Sequence, residues 1–243
     1  MPTPPPESSA PLLAFGAHPD DIEFGCGGVV ARETQAGRVA HFVVCSRGEA
    51  ATNGTPKQRT GEARKGAGLL GASLEFLDLG GDAHFEVRVA HVLKLAAVIR
   101  RLKPAVVLAP TPVENQHPDH AALGKMVRDA ARLARYGGVK ELRRTPSHAI
   151  GVLFFYAITV EGEIATEKPV LFDVSPPSVL KAWTASMLAH ATQAQTRRYC
   201  ELQLARASVN GARCGVDAAL PLWPNDPLIA DSLFEIGRSA RRF

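Results

Sequence analysis

No apolar run in this 243-residue chain approaches the roughly 18 consecutive residues that cross a bilayer as a helix. The first ten residues, Met1-Pro2-Thr3-Pro4-Pro5-Pro6-Glu7-Ser8-Ser9-Ala10, carry neither the basic segment nor the apolar core of a secretory leader. Their proline content predicts an extended, disordered tail. Cysteine is scarce: Cys26, Cys45, Cys200 and Cys214 form no C-x-x-C pair. Their spacing argues against a disulfide framework and for buried free thiols in a reducing, cytoplasmic setting. A one-sided charge is missing too, with 28 Lys and Arg against 24 Asp and Glu. The basic residues are dispersed apart from Arg238-Ser239-Ala240-Arg241-Arg242. Without a clustered basic face or a recognition motif, neither nucleic acid nor a membrane is an expected partner. What is present is ordinary globular composition, 46% hydrophobic and 21% charged. A chain of this length buries roughly 70–75% of its unfolded surface, which is enough for a core without staples.

The hydrophobic pattern alternates between strand and helix. Short apolar runs at Leu12–Gly16, Val39–Cys45, Leu74–Leu77 and Ala105–Ala109 read as strands. Helical patterns follow each of them. The first opens at Gly25, Gly27 and Gly28 and runs to about Ala36. The others span about Lys57–Leu70, Val87–Leu102 and His120–Arg135. Four such alternations in the first 135 or so residues predict an α/β fold, a Rossmann-like doubly wound and mostly parallel sheet with helices on both faces. Beyond Gly138 the pattern loosens. Ala149–Tyr156 and Val170–Val174 read as strands, and about Ser178–Arg198 as a helix continuing with breaks to Ala207. From Asn210, prolines 221, 224 and 227 punctuate an irregular segment. No linker separates this part, so residues 11–243 are expected to form one domain with a C-terminal elaboration.

Two tetrapeptides carry the chemistry. His18-Pro19-Asp20-Asp21 follows the first strand, and His117-Pro118-Asp119-His120 follows the fourth. Unpaired charge at the end of a buried strand is costly; a metal ion that takes the imidazole and the carboxylate as ligands removes that cost. If the strand order begins 3-2-1-4, the first and fourth strands are neighbours at the switch point, where open α/β sheets place their ligands. The two clusters then converge. His18, Asp21 and His120 make a sensible set of three ligands for an open zinc site, with the fourth position left to water. Zinc lowers the pKa of such a water from about 15.7 toward about 7. Asp20 is the adjacent carboxylate to act as general base. His117 is the candidate to stabilise an oxyanion or protonate a leaving amine, with Asp119 to orient it. Two histidines and a carboxylate also suit Fe(II).

These residues resemble the LmbE-like (PIG-L) zinc-dependent N-acetylglucosamine deacetylases, most closely the bacterial branch acting on N-acetylglucosaminyl malate or inositol in small-thiol synthesis. The resemblance includes Ser46-Arg47-Gly48-Glu49, Asn53-Gly54-Thr55, Arg59 and Glu62, and His190-Ala191-Thr192-Gln193. It implies zinc on His18, Asp21 and His120, with Asp20 as base and His117 as acid or electrostatic residue backed by Asp119. It also implies that Arg59 contacts substrate and that His190 lies near the sugar. The partner would be an N-acetylated sugar conjugate, and the assembly a trimer or hexamer. Two departures stand out: Asp20-Asp21-Ile22-Glu23 where many members read Asp-Asp-Glu, and Ala191-Thr192 in place of Lys-Ser.

Other readings of the same residues remain open at this point. His18 and Asp20 alone would serve as a helix cap. A carboxylate-rich cleft also suits a metal-dependent phosphoesterase, although that chemistry often needs paired metals. A non-catalytic zinc protein would normally use a closed Cys/His set. The glycines at 25, 27 and 28 lack the G-x-G-x-x-G spacing of a phosphate cradle, so close helix–strand packing is their expected role.

Overall fold

The computed structural model describes residues 10–114, 117–194, 198–232 and 239–240. The predicted disorder of residues 1–10 lies, but for Ala10, outside the described residues, as does most of the basic stretch at 238–242. The chain runs β1 (Leu12–Gly16), α1 (Asp21–Gln35), β2 (Ala40–Val44), α2 (Pro56–Leu69), β3 (Ala72–Phe76), α3 (Val89–Leu102), β4 (Val106–Pro110) and α4 (Pro118–Arg135). It continues through β5 (Val152–Tyr156), β6 (Val170–Asp173), α5 (Pro177–Leu188), α6 (Ala191–Ala194), α7 (Tyr199–Cys214) and β7 (Ala219–Pro224).

The strands form one seven-stranded sheet in the order β3-β2-β1-β4-β5-β7-β6. The first five pair in parallel, and β7 runs antiparallel to both its neighbours. The order 3-2-1-4, the condition for the two tetrapeptides to converge, is observed, and β1 and β4 lie side by side with Leu12 opposite Val106. Their runs are almost wholly buried, as expected of strands covered on both faces. One apolar layer, with Leu13, Phe15, Leu95, Ile99 and Met126, lies under α3 and α4. The other, with Phe42, Tyr156, Trp183 and Leu220, lies under α1, α5 and α7.

Three local expectations differ from the structure. Helix α1 begins at Asp21, not at the glycines, which lie inside it. A Cβ at Gly25 would come within 2.2 Å of the Tyr156 ring and one at Gly27 within 2.8 Å of Trp183. The glycines let α1 settle onto its neighbours, and Tyr156 completes the contact by donating its hydroxyl to the Phe15 carbonyl at 2.7 Å. The single helix read from Ser178 is three helices, α5 to α7, with His190 at the junction between the first two. The segment after Asn210 contains β7, which its prolines disguise: proline removes a ladder donor and argues against a central strand. The strand tolerates both prolines because each has a paired neighbour on one side only: Pro221 faces Leu171 of β6, and Pro224 faces Phe154 of β5, which β7 meets only at its end.

Candidate metal centre

The loop after β1 is built around Asp21. Its Oδ2 accepts the backbone N–H groups of Ala17 at 2.8 Å and His18 at 2.9 Å, which folds the His-Pro-Asp turn back on itself. Asp20 takes the N-cap position of α1 but makes no capping bond with its side chain. The helix-cap reading of this tetrapeptide therefore fails for Asp20, whose carboxylate is left facing the cavity. The turn also puts Asp20 at φ 118°, a region that non-glycine residues rarely occupy and that costs about 1–3 kcal/mol. Arg59 holds it there. Its Nη2 donates to the Pro19 carbonyl at 2.7 Å and to Asp20 Oδ2 at 3.3 Å. Arg59 sits on the first turn of α2, whose start is pinned by a reciprocal Thr55–Gln58 capping box and by Pro56.

The loop after β4 meets this one. His117 caps α4, with Nδ1 accepting the Asp119 N–H at 3.3 Å. Pro118 starts the helix, and Asp119 and His120 lie on its first turn. His120 Nε2 lies 3.1 Å from Asp21 Oδ1 and 3.2 Å from His18 Nδ1. His18 Nδ1 is 3.5 Å from the other Asp21 oxygen. Donors held about 2.0–2.1 Å from a tetrahedral zinc lie roughly 3.3–3.4 Å from one another. The three side chains thus fit a single small cation, and two imidazole nitrogens facing each other beside one carboxylate are hard to explain without one.

A second group of donors overlaps the first: His18, Asp82, His117 and Asp119. It uses the other nitrogen of the same ring. His18 Nε2 lies 3.1 Å from Asp82 Oδ1 and 3.2 Å from Asp119 Oδ2. A proton on Nε2 satisfies both carboxylates and leaves the Nδ1 lone pair toward Asp21 and His120. This is the carboxylate–histidine pairing that commonly backs a metal ligand. Asp119 is otherwise engaged with the chain after β3, accepting N–H groups of Ala83 at 2.7 Å and Phe85 at 3.3 Å. Its carboxylate is 3.9 Å from His117 Nδ1, so it serves His18 more directly than His117.

Electrostatics follow from this crowding. Burial by itself favours neutral His18, but Asp21, Asp119 and Asp82 outweigh it and raise its pKa well above the ordinary value. Burial opposes ionisation of Asp21, and the His120 and His18 imidazoles more than offset that, holding it well below the usual range. Burial pushes the Asp20 carboxyl up, the Arg59 guanidinium pulls it back and neighbouring Asp21 raises it further, leaving it at about 6. Burial and then the His18 and His120 charges depress His117. Neutral His117 has its proton on Nε2, because Nδ1 accepts the Asp119 N–H.

All these groups except Asp119 line one cavity of about 500 Å³, a usual size for small-molecule sites. Thr52, Asn53, Gln193, Tyr199 and Gln203 complete much of its wall. His190 is not on that wall. It is fully buried, with Nε2 3.2 Å from Glu23 Oε1. Burial lowers its pKa, and Glu23 reverses this with help from Asp20 and Glu62, so the net shift is upward. Asp82 belongs to neither of the two tetrapeptides and was not singled out by the sequence. Its available signal was position: an acidic residue just after a parallel strand, on the sheet edge where ligands bind. Gln193 closes the His190-Ala191-Thr192-Gln193 motif, whereas Tyr199 and Gln203 had no comparable local signal.

Comparison with known proteins bears on the same residues. The family described as PIG-L, GlcNAc-PI de-N-acetylase, matches residues 13–131, from β1 into the last turns of α4 and across both donor loops. The 4-oxalmesaconate hydratase of Pseudomonas putida is 32% identical over 147 residues, which cover 56% of this chain and 56% of the hydratase. The diacetylchitobiose deacetylase of Thermococcus kodakarensis is 28% identical over 193 residues, covering 75% of this chain and 69% of that protein. The chain thus spans about half the length of the hydratase and just over two thirds of the deacetylase. The crystal structure of the conserved protein TT1542 from Thermus thermophilus superposes with a TM-score of 0.79 at 30% identity, over 91% of this chain and 97% of that one. A chain that shares its fold with such a relative over 91% of its length, and matches the de-N-acetylase family over the segment that holds His18, Asp21 and His120, belongs to the PIG-L family.

Proposed function

We propose that this protein is a metal-dependent de-N-acetylase that releases acetate from an N-acetylglucosamine unit of a small conjugate. The observation that carries the reading is the convergence of His18 Nδ1, Asp21 Oδ1 and His120 Nε2 beside a carboxylate, Asp20, that is bound to none of them. A zinc ion held by these three side chains would polarise the acetyl carbonyl and acidify a water molecule. Asp20 takes the proton from the attacking water as its oxygen bonds to the acetyl carbon. Arg59 keeps the carboxylate oriented and, by opposing the effect of burial, ionised at neutral pH. The Nε2–H of His117 donates to the acetyl oxygen as negative charge builds there. The carbon–nitrogen bond then breaks, Asp20 returns the proton to the nitrogen, and acetate and the free amine leave. Asp82 and Asp119 hold the His18 ring, and Glu23 and His190 form a buried pair behind Asp20.

Malyl and inositol conjugates are the substrates that the resemblance of the sequence motifs implies, together with a trimeric or hexameric cytoplasmic assembly. Sedimentation velocity tests the assembly. The activity is tested by acetate release from N-acetylglucosamine conjugates with zinc-loaded and chelator-treated protein. The expected outcome is metal-dependent release that His120→Ala abolishes together with bound metal. Full activity in His120→Ala removes the ligand set proposed here.

The 32% identity to a hydratase over more than half the chain favours one second reading, addition of water to an unsaturated carboxylic acid. Loss of ultraviolet absorbance from such an acid, without acetate release from any amide, would favour it.

A further inference from the structure

Among the described residues, those lining the cavity away from the metal donors are uncharged. Thr52 and Asn53 come from the loop after β2, Thr159 from the segment after β5, Gln193 from α6, and Tyr199 and Gln203 from α7. They offer hydroxyls, amides and an aromatic ring. Tyr199 stands edge-on to Phe24 with ring centroids 6.1 Å apart, which gives the wall an apolar facet.

Arg59 is the one Lys or Arg among the described lining residues, and its charge is already engaged. Besides Pro19 and Asp20, its Nη1 lies 4.0 Å from Asp82 Oδ2. Arg206, which donates to the lining residue Gln203, is held by Glu163 at 2.7 Å and the Ala157 carbonyl at 2.9 Å. Thr192, next to Gln193, is bound through its N–H and hydroxyl to Glu62 at 2.9 Å and 2.7 Å. A divalent ion on His18, Asp21 and His120, taken with Arg59, would only balance Asp20, Asp21 and Asp82. It would leave no excess for a further anion.

We propose that the cavity selects N-acetylglucosamine conjugates whose aglycone is uncharged, such as an alcohol or a second sugar, over conjugates whose aglycone bears a carboxylate. The proposal rests on the de-N-acetylase reading and narrows its substrate class. A carboxylate entering a half-buried site gives up hydration and must regain it from cations or several N–H donors. Here the described wall offers it no free cation, because the one guanidinium of the cavity is already paired with Asp20 and Asp82. Hydroxyls, by contrast, both donate and accept, and the side chains of Thr52, Asn53 and Thr159 suit them.

The test uses a matched pair, the 2-hydroxyethyl and carboxymethyl β-glycosides of N-acetylglucosamine. Binding to metal-loaded protein is measured by calorimetry, with acetate release followed in parallel. The hydroxyethyl glycoside is expected to bind at least about tenfold more tightly, the lower bound for failing to satisfy a charged hydrogen-bonding group. Thr52→Lys, on the exposed loop, is expected to improve the carboxymethyl glycoside about two- to fivefold relative to its partner, as one exposed ion pair allows. That gain should vanish near 1 M salt, where the screening length is about 3 Å. Equal or tighter binding of the carboxymethyl glycoside overturns the proposal. Binding in the expected order without acetate release overturns the de-N-acetylase reading and leaves the charge selection standing. No binding of either glycoside overturns both.

Discussion

Asp119→Asn separates two accounts of the residue behind the site. If Asp119 acts by orienting His117, the substitution lowers turnover and leaves metal binding untouched. The geometry predicts otherwise, because the carboxylate lies 3.2 Å from His18 Nε2 and 3.9 Å from His117 Nδ1. Partners behind a metal-bound histidine typically contribute 10–100-fold in metal affinity. His18 has two of them, and Asp82 at 3.1 Å remains in the variant. The expected loss is therefore near the lower bound, about tenfold or 1.4 kcal/mol. Asp82→Asn/Asp119→Asn should approach a hundredfold. Asparagine is the informative substitution because it removes the charge behind His18 with little else: its one carbonyl oxygen, in the place of Oδ2, can still accept the Ala83 N–H, made at 2.7 Å, and face His18 Nε2 as a weaker, neutral acceptor, while the longer bond from Phe85 at 3.3 Å is lost. The assay is zinc competition against a chromogenic chelator, with urea unfolding of the apo-protein run beside it. His117→Ala is the control, expected to bind zinc within about twofold of the parent while turnover falls by about 10²–10⁴. Unchanged zinc affinity in both Asp119→Asn and the double variant would refute the reasoning.

Arg100 is buried, has no carboxylate partner among the described residues, and donates to the carbonyls of Leu133, Ala134, Tyr136, Leu142 and Thr145. Arg100→Met should cost about 3–5 kcal/mol in urea unfolding, since several buried acceptors lose a charged donor at once. Gly25→Ala drives a methyl to within 2.2 Å of the Tyr156 ring. It should destabilise by about 1–3 kcal/mol or more, and Tyr156→Leu in the same chain should recover part of that loss. The folded pKa of His190 is raised, so its pairing stabilises the protein fully below the unfolded value near 6.5 and progressively less as pH rises through the folded value. The stability gap between the parent and His190→Gln, read from urea midpoints, should narrow from pH 6 to pH 9; a gap that widens with pH contradicts the assigned pairing with Glu23.

The sequence by itself determined the alternation of strands and helices and the two tetrapeptides that follow the first and fourth strands. Each of these is local. A buried parallel strand must be continuously apolar, and a helix must show its period. That the two tetrapeptides meet depended on the strand order, which the structure supplied by pairing β1 with β4. What the tertiary structure decided depends on segments that approach from elsewhere in the chain. Asp82 joins His18 because the loop after β3 turns back through Gly80 and Gly81, both at positive φ, onto the Asp119 carboxylate. Arg59 reaches past its own helix to Asp20 from 39 residues away. His190, expected near the sugar, lies behind the site because the junction of α5 and α6 is buried against Glu23. β7 was hidden by its prolines, since the rule against proline in a strand ignores that each of them is paired on one side only. The charge of the cavity wall, on which the choice of substrate turns, belongs to no single stretch: it is a sum over α1, α2, α6, α7 and the loops between the strands, and it exists only once they have packed together.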